Sequence, residues 1–190
     1  MLLPLLSERL LLRDFQPEDW PAVHAYGSRP EVYRYQPWGP MTPEDARACL
    51  VKIAAEAQEQ PRTDYTLAMV MTGTATVIGA CNLTIHSQRF RCNLHRSGEI
   101  GYSIHPDYWR QGYATEAAQC LLRFGFATLG LHRIIGQCDP RNTATARVLE
   151  RIGMRYEGHL RETMLIRDGW RDSLIYNLLE QEWAALHPAP

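Results

Sequence analysis

The chain has 190 residues, 45% of them apolar and 22% charged, which is enough for one full core and too few for two ordinary domains. Twenty basic against 21 acidic side chains leave a net charge of −1, so no positive excess exists to bind a nucleic-acid backbone or an anionic membrane. No run of about 18 apolar residues, the length that crosses a bilayer, occurs. The leucine-rich start lacks a basic segment and meets Glu8 and Arg9 too early for an export signal. Five cysteines without a C-x-x-C pair suit reduced thiols. The expectation is one cytoplasmic domain spanning residues 1–190.

Residues 10–15 follow Ser7-Glu8-Arg9 and read as an opening strand. Pro17-Glu18-Asp19 begins a helix over 17–28, closed by Arg29-Pro30, and an aromatic loop follows at 33–40. Thr42, with Pro43, Glu44 and Asp45, caps a second helix that runs to Gln60. Residues 65–71 and 75–85 form a hairpin around Thr72-Gly73-Thr74, with Gly79 as a bulge position. The polar stretch 86–97 reads as an exposed loop. A strand at 98–104, a helix at 112–129, a strand at 133–138 and a helix at 142–152 come next. Two strands, 154–166 and 172–179, close the chain as a hairpin. This order describes an α/β fold, a mixed sheet with helices over its faces.

The most informative stretch takes a strand through His105-Pro106 into Arg110-Gln111-Gly112-Tyr113-Ala114 and straight into a helix. The first amides of a helix lack internal partners and sit at the positive end of its dipole, so this turn suits a pyrophosphate. A plain tight connection is the alternative. The spacing matches neither G-x-G-x-x-G nor the P-loop pattern. A second cluster, Asp139-Pro140-Arg141-Asn142-Thr143-Ala144-Thr145, opens the helix that ends at Gly153-Met154.

Together, R-Q-G-Y-A-T-E-A, the N-x-x-T starting at Asn142 and the L-E-R-I-G-M-R-Y-E-G after it resemble the GNAT superfamily of acyl-CoA-dependent N-acetyltransferases. Within it, the ribosomal-protein N-acetyltransferase (RimJ/RimL-like) branch fits best. The resemblance runs from Glu8-Arg9-Leu10 to a closing strand at 172–183. It implies a mostly antiparallel sheet whose fourth and fifth strands, 98–104 and 133–138, part in a V that takes the pantetheine arm of acetyl-CoA. It implies, too, that Ile104, Arg110, Gln111, Gly112, Tyr113, Ala114 and Thr115 bind acetyl-CoA, with the amides of 110–115 on the pyrophosphate and Asn142 on the pantetheine. Trp109 and Arg110 depart from the usual residues. Leu149 stands where many members carry a tyrosine general acid, which excludes that acid here. By resemblance the loop with Tyr35 and Trp38 borders the acceptor pocket, and these aromatics either shape it or pack the loop.

An ammonium acceptor needs a group to take its proton. Glu99, Gly101 and Ser103 share one face of their strand and Ile100, Tyr102 and Ile104 the other. Glu99 is therefore the candidate base, acting through water, against the plainer reading of a carboxylate bonded to a neighbouring strand. Thr145 is the candidate acid, against a first-turn hydroxyl bonded to backbone. Glu162 reads as an exposed strand residue, and Cys138 as an inert buried thiol rather than a mixed-disulfide partner for CoA. Cys81, His86, Cys92 and His95 lack zinc-site spacing, so no metal is expected. Neither H-E-x-x-H nor G-x-S-x-G occurs. The resemblance implies direct acetyl transfer from acetyl-CoA to an amine, on a protein N-terminus or a small molecule. A GNAT-like acyl-CoA sensor without turnover is the alternative. Exposed aromatics and the terminal hairpin leave room for a homodimer.

Overall fold

The computed structural model describes residues 3–86, 96–167 and 169–187. A two-residue strand β1 (Leu5–Leu6), which periodicity is too short to reveal, pairs with β2 (Leu10–Asp14). In β2 the buried Leu10 and Leu12 alternate with the half-exposed Leu11 and Arg13, as a strand with one face on the core requires. The expected first helix divides into a 3-10 turn (Pro17–Asp19) and α1 (Trp20–Gly27). A one-turn helix, α2 (Pro30–Tyr33), lies ahead of the expected aromatic loop and takes in only its first residue. Helix α3 (Pro43–Glu56) starts at the expected cap, Thr42 accepting from the Asp45 amide at 3.1 Å while Asp45 accepts from the Thr42 amide at 2.9 Å. It ends at Glu56, before the expected Gln60.

Strands β3 (Asp64–Met71) and β4 (Val77–Ile85) form the expected hairpin. Met69 faces Gly79 and Val70 faces Val77, so the extra residue is Ile78, next to the expected bulge position. Gly79 is required for a different reason: a Cβ there would run into the Ser103 carbonyl oxygen of β5 (Ser97–Ile104). Most of the expected 86–97 loop, including Cys92 and His95 of the rejected metal cluster, lies outside the described residues, as does Asp168 in the closing turn. Helix α4 (Tyr113–Arg123) continues as a π-helical turn, Phe124–Thr128, into β6 (Arg133–Cys138). Then come α5 (Thr143–Arg151), β7 (Arg155–Ile166) and β8 (Gly169–Leu179). The expectation of a strand reaching 183 is corrected. Glu182 accepts from the Leu179 amide at 3.1 Å, and with Glu180 in the first turn it starts α6 (Glu180–Leu186), on which Trp183 stacks against Phe126.

The eight strands lie in the order β1-β2-β3-β4-β5-β6-β8-β7. Every described pairing is antiparallel except β5 with β6, which α4 connects. That parallel pairing covers Ser97 with Arg133 through Ile100 with Gly136 and goes no further. Beyond Ile100 the two strands part, at the place where a V was expected. One face of the sheet buries Leu10, Leu67, Ile78 and Ile100 against Ala117, Ala118, Leu121 and Leu122 of α4. On the other, α1 to α3 bring Val23, Tyr26, Val32, Ala46 and Leu50 into a second cluster, with Trp20 and Trp38 at its border. Among the described residues no helix is long and apolar enough to cross a membrane.

Asp19 joins β2 to the start of α1. It accepts from Arg13 at 2.7 and 3.0 Å and from the Gln16 amide at 2.8 Å. Burial pushes its carboxyl up, but the bonds from Arg13 and Gln16 outweigh it and hold it below the usual carboxylate range. A carboxyl depressed in the folded state adds stability that is present above its unfolded pKa and lost as pH falls through the folded one. Asp19→Asn is expected to cost about 1–2 kcal/mol at pH 7 and to make the thermal midpoint less sensitive to pH below about 4. Melting curves of both proteins from pH 7 to pH 3 measure this.

Candidate active site

The turn before α4 is built to expose amides. Arg110 and Gly112 both adopt left-handed backbone, with φ of 60° and 87°, and Gly112 is the N-cap of α4 without any side-chain cap bond. Arg9 secures this turn from the bend before β2. It donates to the Gln111 carbonyl at 3.0 Å, and its guanidinium and amide hold Glu116 in the first turn of α4. A trans peptide points its N–H opposite to its C=O, so with the Gln111 carbonyl on Arg9 the Gly112 N–H faces away from that arginine. A cleft of about 700 Å³ opens there, and Ile104, Arg110, Gly112, Tyr113, Ala114, Thr115 and Asn142 line it together with Arg147 and Arg151. Gln111 is the exception among the expected residues. Its side chain donates to the Asp107 carbonyl at 3.0 Å and does not line the cleft. Trp109, at the departure from the usual residues, donates its indole N–H to the Ile104 carbonyl at 2.7 Å.

The second edge of the cleft comes from the β6–α5 turn. Asp139 is buried and accepts from the Arg141 amide at 2.8 Å and from its guanidinium at 2.9 and 2.5 Å. The bonds from Arg141, more than burial, fix its pKa, which lies below the usual value. The Asp139 carbonyl accepts from the Asn142 amide, and Asn142 Oδ1 in turn caps α5 through the Thr145 amide at 3.2 Å. Helix amides and the arginines Arg34, Arg110, Arg141, Arg147 and Arg151 outnumber the one carboxylate, Glu31, along this cleft, and they fit the pyrophosphate of acetyl-CoA. Leu149, in place of the family tyrosine, is buried and packs beside Gly136.

A second cavity, of about 490 Å³, lies on the side of α1 to α3 and is lined by Tyr35, Trp38, Met41, Glu99, Gln137 and Asp172, among others. Glu99 accepts from Gln137 at 2.7 Å and stands 3.6 Å from His86 Nε2, with its side chain about one-third exposed. It is thus both bonded to the neighbouring strand and open to the cavity. Trp38 packs at the border of the helical cluster and also lines this cavity. Glu162 adopts left-handed backbone at an irregularity of β7 and donates its amide to Asp172 at 2.9 Å. Burial, with Asp139 and Glu150 adding to it, pushes the Cys138 thiol up to about 11, which suits an inert thiol.

Two features were missed by the sequence reading. Tyr102, sorted onto the core face by alternation, lines both cavities, which meet at Tyr35, Gln36, Tyr102, Ser103, Asn142 and Thr145. Arg167, in the β7–β8 turn, donates to the carbonyls of Tyr33, Gln36, Trp38 and Gly39 at 2.8–3.3 Å. Nothing in local sequence marks either, because each depends on a contact between distant segments.

The family described as the acetyltransferase (GNAT) domain matches residues 9–155. The chain is 36% identical over 177 residues to the uncharacterised N-acetyltransferase YnaD of Bacillus subtilis, covering 93% of this chain and 97% of that one. It is 30% identical over 107 residues to the Escherichia coli [ribosomal protein uS5]-alanine N-acetyltransferase, covering 56% of this chain and 53% of that one. The crystal structure of a GNAT-family acetyltransferase from Bacillus anthracis superposes with a TM-score of 0.79 at 35% identity, covering 94% of this chain and 99% of that chain. Because the family match takes in the turn before α4, both parting strands and the Asn142 cap, the chain belongs to the GNAT family of acetyltransferases.

Proposed function

We propose that the chain works as a single transferase domain that passes an acetyl group from acetyl-CoA directly to a primary amine, on a protein N-terminus or a small molecule. The observation that carries this reading is the meeting of the two cavities. One is walled largely by helix amides and arginines, the other carries the carboxylates of Glu99, Asp139 and Asp172 with aromatic residues, and they join where the sheet opens. Bound acetyl-CoA supplies the activated acetyl group. The turn Arg110–Thr115, chiefly through the Gly112, Tyr113, Ala114 and Thr115 amides, holds the pyrophosphate, with Arg147 and Arg151 near the phosphates. Asn142 and Ile104 border the pantetheine arm. Much of the rate comes from holding the amine against the thioester.

Glu99 takes the proton of the amine through water, and Thr145 offers its hydroxyl on the sulfur side. Tyr35 and Trp38 shape the acceptor mouth, which Arg167 holds by its carbonyls. The free thiols of Cys49, Cys81, Cys120 and Cys138 suit the cytoplasm as the place of action. Similarity over about half its length to a ribosomal-protein N-acetyltransferase supports an N-terminal amine among the acceptors to be tried.

Calorimetry with acetyl-CoA, followed by thiol release against amines and N-terminal peptides, tests the reading. Micromolar binding with amine-dependent release supports it, whereas binding without release favours an acyl-CoA sensor. Glu99→Gln is expected to lower kcat/KM by about tenfold or more with the acetyl-CoA Kd unchanged. A loss within about twofold removes the base assignment. Arg167→Ala is expected to raise the acceptor KM by about threefold or more, with acetyl-CoA affinity within about twofold of the parent, because it frees the mouth and leaves the amide turn intact. Steady-state kinetics in both substrates separate these effects.

A further inference from the structure

Tyr102 lies two residues beyond Ile100, the last residue of β5 paired with β6, and so stands where the strands have parted. Its hydroxyl oxygen is buried and has no partner of hydrogen-bonding geometry among the described residues. The Thr145 hydroxyl is close enough to interact with it without completing that bond. A buried hydroxyl without a partner costs folding free energy. Such a group is retained where its partner arrives with a ligand, and this one sits at the junction of the two cavities.

Strand alternation puts Tyr102 and Glu99 on opposite faces of β5. The amine adds to the thioester carbonyl from the Glu99 side, and when the tetrahedral adduct collapses the sulfur leaves into the strand gap, where Tyr102 and Thr145 stand. We propose that Tyr102 is a catalytic residue whose hydroxyl donates a hydrogen bond to the CoA sulfur as the carbon–sulfur bond breaks, with Thr145 as a second donor. This rests on the acetyltransferase reading and extends it to the leaving-group side. The new carbon–nitrogen bond forms from the amine lone pair, and the sulfur keeps the electron pair of the bond that breaks. The amine's proton passes to water beside Glu99, and the thiolate takes a proton from solvent on release. Tyr102 keeps its own proton throughout. Burial, with Cys138 adding and Thr145 opposing, pushes the phenol up from its ordinary value, so it remains a donor across the working pH range. A fixed donor in a site closed to water needs no reorganisation when charge develops.

The test is Tyr102→Phe. It is expected to lower kcat by about tenfold to a hundredfold, to leave the acetyl-CoA Kd within about twofold, and to leave Tm unchanged or higher, since the lost hydroxyl has no partner in the free protein. A second readout needs no turnover. The thiolate absorbance of CoA bound to the parent protein should titrate about one pH unit lower than when bound to Tyr102→Phe, while desulfo-CoA binds both equally. A parent enzyme that transfers acetyl, with a variant of unchanged kcat and unchanged thiol titration, overturns the role of Tyr102 alone. A variant that loses Tm or acetyl-CoA affinity assigns Tyr102 to packing and overturns it as well. A parent protein that releases no thiol with any amine overturns the transferase reading and this inference together.

Discussion

The parting of β5 from β6 after Ile100 and Gly136 is the constraint on which the rest of the molecule depends. Each strand keeps a partner on its far side, β4 for one and β8 for the other, so the sheet stays whole around the opening. Inside the opening, backbone groups lose the ladder, and buried backbone groups must find other partners. One of them, the Ile104 carbonyl, takes the Trp109 indole. A substrate arm laid along the gap can meet others, which is why an opened sheet serves as a binding site at small cost to the fold. The one parallel pairing among the described residues follows from the same plan, since a crossover through α4 is what delivers a helix N-terminus to the mouth of the gap.

The amide turn owes its orientation to the bend between β1 and β2. Arg9 donates both to the Glu116 carboxylate and to the Gln111 carbonyl, so one side chain aligns the first turn of α4 and directs the neighbouring peptide. Its guanidinium also lies over the Tyr113 ring, 4.4 Å from the centroid. Two left-handed residues in three, one of them an arginine, are sustained by this bracing. The Arg9–Glu116 pair is partly exposed, and such pairs contribute little to stability alone; its value here lies in geometry.

Much of this was legible in the sequence because it is local. The Thr42 cap, the β2 alternation, the apolar stripe of α4 and the glycine at its N-cap are written within a few residues of where they act. The resemblance added the V and the partners of the amide turn. The Gln111 side chain turns back to the Asp107 carbonyl, which motif reading does not show, because a left-handed pair turns successive units in different directions. Tyr102 was missed because alternation sorts side chains into two faces, and beyond the end of a pairing both faces reach the same space. The strand expected to reach Trp183 failed where two glutamates and a backbone cap favour a helix. β1 is held only by its pairing with β2 and has no periodicity of its own.

The bonds from Arg167 to residues 33–39 span sequence separations of 128 to 134. Contacts of that range form late, since the intervening chain must first be made and arranged. During synthesis the aromatic loop emerges early and waits without its clamp until the last hairpin leaves the ribosome. The contacts of Arg9 with Gln111 and Glu116 span 102 to 107 residues, and both of their partners have been synthesised well before Arg167. The molecule thus draws the amide turn from segments made early, whereas the loop at residues 33–39 is clamped only by the last hairpin.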